Sequence, residues 1–231
     1  MTVSRRALLR AALVAPIAVT ALTMIEPITA FADTGSGIGG AVDAAGAGVA
    51  VTPGVPVQFP TGPADNPIVA TSASALAALN ARDFTTYRDR ILDVAAAVGQ
   101  RTGLSADDLA TVWLRSDGVR MRVLLSGLTQ VGVPYHFNTS SPGHAFDCSG
   151  FVAWAWDSVG RGLPHQSRSI INGVNGSSVD RVQPGDVFYY PGHIMMALGL
   201  GTAMVHAPQT GRTVEVRAST SHRRMRVGSP A

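Results

Sequence analysis

The pattern of hydrophobic residues changes once along this chain of 231 residues, and the change restricts the fold to a mixed architecture. Between about residues 71 and 158, apolar residues recur at three- and four-residue steps, which is typical of amphipathic helices. Beyond residue 184 the chain consists of short apolar runs separated by turn residues, which predict strands. These strands are expected at residues 186–190, 193–198, 203–206 and 213–217. Helices followed by consecutive strands favour an α+β domain with a central antiparallel sheet.

The first 32 residues have the composition of an export signal. Arg5, Arg6 and Arg10 precede an apolar run, and Ala30-Phe31-Ala32 has the small-x-small pattern of a cleavage site. The run is shorter than the roughly 20 residues of a membrane-spanning helix. We therefore expect a secreted protein whose mature form is not bound to a membrane. The arginine pair also resembles a twin-arginine signal, and an uncleaved anchor is the alternative.

The remaining chain divides by composition into four segments. Residues 33–68, rich in Gly, Pro and Ala, cannot bury enough surface to offset their ordering entropy and are expected to form a flexible tether. Residues 69–116 are predicted to form a small helical accessory segment, residues 117–220 the main domain, and residues 221–231 a basic tail. The net charge is only +3, from 18 basic and 15 acidic residues, which argues against nucleic-acid binding.

Cys148, the single cysteine of the sequence, lies where a turn runs into an apolar helix. The free N–H groups and the dipole at a helix N-terminus stabilise a thiolate, and a neighbouring imidazole adds to this effect. We therefore expect the pKa of the Cys148 thiol to be lowered. The alternative interpretation is a buried structural cysteine.

Two of the six histidines lie on predicted strands downstream of Cys148: His193 begins one strand and His206 ends the next. Adjacent antiparallel strands bring such positions together, so that one ring can face the thiol while the other orients it. The pair could equally be structural, or two ligands of a metal site. Because a third ligand is missing and Cys148 would be left unexplained, no metal or cofactor is expected. Surface positions are expected for His144 and His222, and local hydrogen bonds for His136 and His165.

Six sequence blocks occur in the order found in NlpC-type cell-wall cysteine peptidases, and the chain resembles this family over about residues 117–218. The blocks are Val131–Tyr135, Phe146–Gly150, Leu163–Ser167, Val182–Val187, Gly192-His193 and Val205–Pro208. The resemblance implies a papain-like α+β fold with the nucleophile at a helix N-terminus. It also implies hydrolysis of peptidoglycan stem peptides, usually at the bond between D-glutamate, through its γ-carboxyl, and meso-diaminopimelate.

The resemblance assigns roles to individual residues. The family's nucleophile falls on Cys148, its base on His193 and its third polar residue on His206. The substrate-binding residues that it implies are Tyr135, Asp147, Ser149 and Ser167. We therefore expect a monomeric cysteine endopeptidase, secreted or in the cell wall, that acts through an acyl-enzyme. The alternatives are a non-catalytic wall-binding or scaffold protein, and an amidase or acyl transferase acting on another amide.

Overall fold

The structure, a computed structural model, describes residues 59–219 and 225–231, and within these ranges it combines helices with short strands. The helices are α1 (Pro67–Asn80), α2 (Phe84–Thr102), α3 (Ala106–Arg115), α4 (Gly118–Leu128), α5 (Cys148–Asp157) and α6 (Ser167–Asn172). The strands are β1 (Ser140–Ser141), β2 (Ala145–Phe146), β3 (Asn175–Ser177), β4 (Val187–Tyr190), β5 (His193–Ala197), β6 (Ala203–His206), β7 (Glu215–Ala218) and β8 (Arg226–Ser229). The expected α+β class is confirmed.

The central sheet is antiparallel throughout, with the strand order β3-β8-β4-β5-β6-β7. Strands β4 to β7 lie side by side in chain order, as consecutive hairpins do. Pro191 and Gly192 form the turn between β4 and β5, and Gly192 has a φ of 89°. A type II turn requires a positive φ at its third residue, which explains the glycine immediately before β5.

Strands β4 to β7 were predicted from the sequence within two residues, but β3 and β8 were not. Strand β8 (Arg226–Ser229) lies in the segment predicted as a basic tail and pairs with β3 and β4. The tail prediction is therefore wrong for residues 226–229, and the domain extends past its predicted end at residue 220. Gly228 allows this pairing, because a Cβ atom there would lie 2.9 Å from the Cδ1 atom of Ile171.

Helices α4 and α5 cover one face of the sheet, and their close approach depends on a glycine. A Cβ atom at Gly127 of α4 would lie 3.1 Å from the ring of Phe151 and would collide with Met196 of β5. The ring of Phe146 packs edge-on against Phe151 at 5.6 Å and lies 5.3 Å from Trp154. Phe146 belongs to β2, so these contacts hold α5, and with it Cys148, against the short β1–β2 pair.

A buried ion pair joins α4 to Asp186, just before β4, and the same guanidinium also reaches the end of β8. The guanidinium of Arg120 donates to Asp186 Oδ1 at 2.8 Å, to the Pro184 carbonyl at 3.0 Å and to Ser229 Oγ at 2.7 Å. Arg120 and Asp186 are both buried, so neither charge is compensated by water. Removing either partner would leave the other charge buried and unpaired, which strongly destabilises a fold. The pair also fixes the start of β4 and the end of β8 relative to α4.

The first three helices form a layer on the main domain and share its hydrophobic core. Helix α1 packs against α4, and α2 packs against β7. Trp113 of α3 is fully buried, and its indole N–H donates to the Leu198 carbonyl at 2.7 Å. Leu198 follows the last residue of β5, so this contact lies at the end of the strand opposite His193.

Residues 59–66, predicted as part of the flexible tether, contact the domain. The ring of Phe59 packs edge-on against Trp154 at 4.9 Å. The Pro60 carbonyl accepts a hydrogen bond from Gln130 Nε2 at 3.0 Å. The tether prediction is therefore wrong for residues 59–66. Helix α1 begins at Pro67, two residues before the predicted start of the helical segment at residue 69. A few polar contacts and one aromatic contact order this stretch, which its composition did not indicate.

The rest of the predicted tether and the predicted export signal lie outside the described residues. In the part of the chain that the structure describes, no helix combines the length and the apolar character needed to cross a membrane.

Candidate active site

Cys148 is the first residue of α5, where the sequence places it. Asp147 is the N-cap, and its Oδ1 atom accepts hydrogen bonds from the Gly150 N–H at 2.7 Å and from the Ser149 hydroxyl at 2.9 Å. A Cβ atom at Gly150 would lie 2.7 Å from His165 Nε2 and would collide with the Thr139 carbonyl. The Asp-Cys-Ser-Gly sequence therefore caps the helix and leaves room for the loops around it.

Burial dominates the electrostatics of the Cys148 thiol, which is only 9% exposed. Burial raises the pKa of Cys148, and the Asp147 carboxylate raises it further. Backbone N–H groups of Ile194, Ser149 and Cys148 itself interact with the sulfur and lower the pKa, but their effect is smaller. The expectation of a lowered thiol pKa is therefore wrong, because desolvation outweighs the helix N-terminus. The thiol is neutral before it reacts.

His193 and His206 meet in the sheet as the sequence predicts. Met196 of β5 pairs with Val205 of β6, so the first residue of β5 and the last of β6 are diagonal neighbours. The two rings lie 2.8 Å apart, measured between His193 Nε2 and His206 Nδ1, and each residue is 6% exposed. The hydrogen bond occupies Nε2 of His193 and leaves its Nδ1 atom available to another partner.

Both imidazoles are neutral near pH 7. Burial lowers the pKa of His193 to about 4, and the neighbouring His206 contributes to this shift. Burial also lowers the pKa of His206 to about 4, together with the positive charges of Arg217 and Arg212. A neutral imidazole has a free lone pair on one nitrogen, so this pair can accept a proton.

Glu215 faces the far side of His206 and was not identified from the sequence. The two residues are paired across β6 and β7, and Glu215 Oε1 lies 3.4 Å from His206 Nε2. This His206 nitrogen is buried, and within the described residues it has no aligned hydrogen-bond partner. The other oxygen of Glu215 contacts the guanidinium of Arg212. Pairing the predicted strands 203–206 and 213–217 as a hairpin would have revealed this neighbour.

Tyr135 lies beside the thiol. Its side chain is half-buried, and burial raises the pKa of the phenol, with smaller contributions from the nearby Cys148 and Asp147. The backbone N–H of Tyr135 donates to the Arg212 carbonyl at 2.8 Å. A cleft of about 370 Å³ opens beside it, lined by residues 134–137 and 210–213. The cleft provides space for a ligand next to the phenol.

The other residues singled out in the sequence differ in whether they contact the cluster formed by Cys148, His193 and His206. Asp147 and Ser149 are buried at the start of α5, and Asp147 Oδ2 lies 2.9 Å from His165 Nε2, which confirms His165 as a local hydrogen-bonding residue. Ser167 begins α6 and forms no side-chain hydrogen bond with the cluster in the described part of the chain. His144 is exposed as expected. His136, for which a local hydrogen bond was expected, is exposed, and its backbone N–H donates to the Phe146 carbonyl at 3.0 Å. His222 lies outside the described residues.

A thiol at a helix N-terminus, two neutral imidazoles in contact and a neighbouring phenol are the groups that a cysteine-dependent hydrolase uses for acyl transfer. Among residues 59–219 and 225–231, no group of three or more His, Cys, Asp or Glu residues could hold a metal ion. Residues 132–226 match the sequence model of the NlpC/P60 family. The resemblance found in the sequence is thereby confirmed for these residues.

Two curated relatives come from Mycobacterium tuberculosis. A probable endopeptidase is 39% identical over 102 residues, which cover 43% of this chain and 26% of that protein. The peptidoglycan endopeptidase RipA is 34% identical over 110 residues, which cover 41% of this chain and 23% of RipA. The chain thus spans about a quarter of the length of these relatives. A solved structure of a hypothetical invasion protein of the same species is 29% identical and aligns with a TM-score of 0.42, over 48% of this chain and 61% of the other.

Proposed function

We propose that this protein is a secreted peptidoglycan hydrolase that cleaves stem peptides through an acyl-enzyme on Cys148. The proposed target is the bond between D-glutamate, through its γ-carboxyl, and meso-diaminopimelate. The observation that carries the proposal is the buried hydrogen bond between His193 and His206 next to the helix that begins at Cys148. The names of the two relatives, an endopeptidase and a peptidoglycan endopeptidase, support the substrate class.

Acylation requires a proton acceptor for the neutral thiol. Because Nε2 of His193 is occupied by His206, Nδ1 is the nitrogen that takes the proton from Cys148 as the sulfur attacks the scissile carbonyl. The carbonyl oxygen becomes an oxyanion, and the backbone N–H of Cys148 and the Tyr135 hydroxyl are its proposed donors. The protonated His193 then gives its proton to the leaving amine, and a thioester remains on Cys148.

Deacylation reverses the roles of the same groups. His193 accepts a proton from a water molecule, and the resulting hydroxide adds to the thioester carbonyl. The tetrahedral intermediate collapses and expels the sulfur, which takes the proton from His193, and the new carboxylic acid leaves and loses its own proton to solvent. Because the thiol and the ring are both neutral before attack, charge develops only while substrate is bound and water is excluded.

The proposed substrate-binding residues are Tyr135, Asp147, Ser149 and Ser167. Tyr135 interacts electrostatically with the thiol and is one of the residues that line the cleft formed by residues 134–137 and 210–213. Asp147 and Ser149 lie at the other side of Cys148, where their side chains are hydrogen-bonded to each other. Ser167 is proposed to line the groove from α6.

The direct test is incubation of the purified protein with defined muropeptides, followed by mass analysis of the products. The expected products are a fragment ending in D-glutamate and a fragment whose new amine belongs to meso-diaminopimelate. Cys148→Ala is the matched control, because it removes the sulfur and leaves the capping groups in place. Binding without cleavage by the unaltered protein would favour the scaffold alternative, and cleavage of another amide would favour an amidase.

Export is the second part of the proposal, and it depends on residues outside the described ranges. N-terminal sequencing of the exported protein is expected to find a mature chain that begins after Ala32. A mature chain that begins inside residues 70–116 would contradict this, because it would lack helix α1, which packs against α4, and part or all of α2, which packs against β7.

A further inference from the structure

We propose that Glu215 is a positioning residue that selects the tautomer of His206 and, through it, the tautomer of His193. The inference rests on the proposed function, because it concerns the proton-accepting nitrogen of that site. The inference starts from the Nε2 atom of His206, which is buried and has no aligned hydrogen-bond partner among the described residues. A carboxylate oxygen of Glu215 lies only 3.4 Å from this atom. A buried polar atom without a partner is costly, so its nearest acceptor has a physical role.

The hydrogen bond between the two rings has two possible directions. For His193 Nδ1 to accept a proton, its Nε2 atom must carry the hydrogen and donate to His206 Nδ1. His206 must then carry its own hydrogen on Nε2, which faces Glu215. In the opposite arrangement His206 Nδ1 donates to His193 Nε2, and the hydrogen of His193 sits on Nδ1, where it blocks proton transfer. One proton position on His206 therefore decides whether His193 is a base.

A carboxylate beside His206 Nε2 favours the productive arrangement, since it accepts hydrogen bonds and donates none when ionised. Paired across β6 and β7, Glu215 occupies a rigid strand position with its side chain 13% exposed. A movement of a few tenths of an ångström would bring Oε1 to the ordinary hydrogen-bond distance of about 2.9 Å.

The other charged and titratable groups around His206 do not substitute for Glu215. Arg217 on β7 and Arg212 before it are positive and lower the pKa of His206, and neither accepts a hydrogen bond. His193, on β5, occupies the opposite nitrogen of the ring. Glu215 is thus the acceptor that these contacts leave for Nε2.

Arg212 determines which oxygen of Glu215 remains for His206. Its guanidinium contacts Oε2 and leaves Oε1 facing the ring. In Glu215→Gln, Arg212 is expected to bind the amide oxygen, because a guanidinium only donates. The amide NH₂ group then faces His206 Nε2 and selects the unproductive tautomer. The isosteric variant should therefore reverse the arrangement with little change in volume.

The experiment compares the full chain with Glu215→Gln, Glu215→Leu and Arg217→Gln, which changes a nearby charge without touching Nε2. The ¹⁵N spectrum of labelled histidine at pH 7 reports which ring nitrogens carry hydrogen. We expect bare Nδ1 on His193 in the unaltered protein and in Arg217→Gln, and protonated Nδ1 in Glu215→Gln. In Glu215→Gln the turnover number should fall by roughly 10- to 100-fold, and KM should not change. This loss is smaller than the ~10⁴-fold loss that a wrong histidine tautomer causes in a serine protease.

The tautomer measurement needs no substrate, so it separates this inference from the proposed function. If His193 keeps bare Nδ1 in both Glu215 variants, or carries hydrogen there in the unaltered protein, the inference is overturned even if muropeptides are cleaved. If the tautomers change as expected while muropeptides are not cleaved, the inference stands and the proposed reaction fails. Should Glu215→Leu not fold, the isosteric Glu215→Gln carries the same test.

Discussion

Strand β5 differs at its two ends. At its first residue, His193 is buried against His206, and both rings carry a pKa lowered to about 4. Just beyond its last residue, about 17 Å away at the rise of an extended strand, the Leu198 carbonyl accepts a hydrogen bond from the buried indole of Trp113. At the first end, two titratable imidazoles are buried and have lost their hydration. At the other end, the buried group is an apolar indole, and its N–H is paired with a backbone carbonyl.

The difference assigns the proposed reaction and the stability of the domain to opposite ends of one short strand. Burying two imidazoles and a thiol costs free energy, which a small sheet cannot supply by itself. The layer of α1, α2 and α3 adds apolar side chains to the shared core, and its Trp113 is buried at the opposite end of β5. We therefore expect substitutions at the two ends to have different effects. Substitutions at the histidine end should change activity, and substitutions at the Trp113 end should change the free energy of unfolding.

The largest expected effect is on activity at the histidine end. His193→Ala removes the proton acceptor, so muropeptide hydrolysis should fall on the order of 10³-fold. His206→Ala should cause a smaller loss, because that ring orients the base. Steady-state kinetics measure both, and circular dichroism monitors the fold. His144→Ala, at an exposed position, is the control and should retain full activity. Equal activity of His193→Ala and the unaltered protein would refute the assignment of the base.

Trp113→Ala tests the opposite end. It removes a fully buried indole, so the free energy of unfolding should fall by about 3–5 kcal/mol, while turnover per folded molecule stays the same. Trp113→Phe is the matched variant: it keeps most of the ring, loses the hydrogen bond to Leu198 and should cost about 1 kcal/mol plus a packing loss. Urea unfolding gives both values. A fall in turnover at unchanged stability would mean that the two ends are coupled.

Acid should destabilise the protein through the histidine end. Because the pKa of His193 and of His206 is about 4 in the folded protein and ordinarily 6.5, the unfolded chain binds protons first as the pH falls. Stability is then lost between about pH 6.5 and pH 4, by at most about 3 kcal/mol for each ring. Urea unfolding across this range measures the loss. His206→Gln should reduce it, and Trp113→Phe should leave the pH dependence unchanged.

The smallest expected effect concerns the thiol before substrate binds. Because burial raises the pKa of Cys148 above its ordinary value of 9.0, the rate of alkylation by iodoacetamide should keep rising through the alkaline range. The urea-unfolded protein, with the same single cysteine exposed, is the reference and should titrate at lower pH. A plateau of fast alkylation between pH 5 and pH 8 would instead indicate a preformed thiolate–imidazolium pair.

Much of the reactive end could be predicted from the sequence. The turn residues around Cys148 and the apolar run after it predict a helix that begins there, and α5 does begin at Cys148. A cap by Asp147 is consistent with this sequence, because a short acidic side chain can accept an N–H of the first turn. The positions of His193 and His206 on consecutive strands predict their contact, since hairpin neighbours pair locally. These inferences succeed because the interactions concerned are close together in the chain or lie within one hairpin.

The remaining features depend on contacts between distant segments. Strand β8 is too short and too polar to be identified by pattern, and it forms because β3 and β4 pair with it from about 40 to 50 residues away in sequence. The raised pKa of Cys148 follows from desolvation by the assembled core, which no local motif reveals. Glu215 lies beside His206 only through the β6–β7 register. Local sequence thus determined the elements and the reacting groups, whereas burial and strand pairing, which are properties of the whole fold, decided their charge states and their partners.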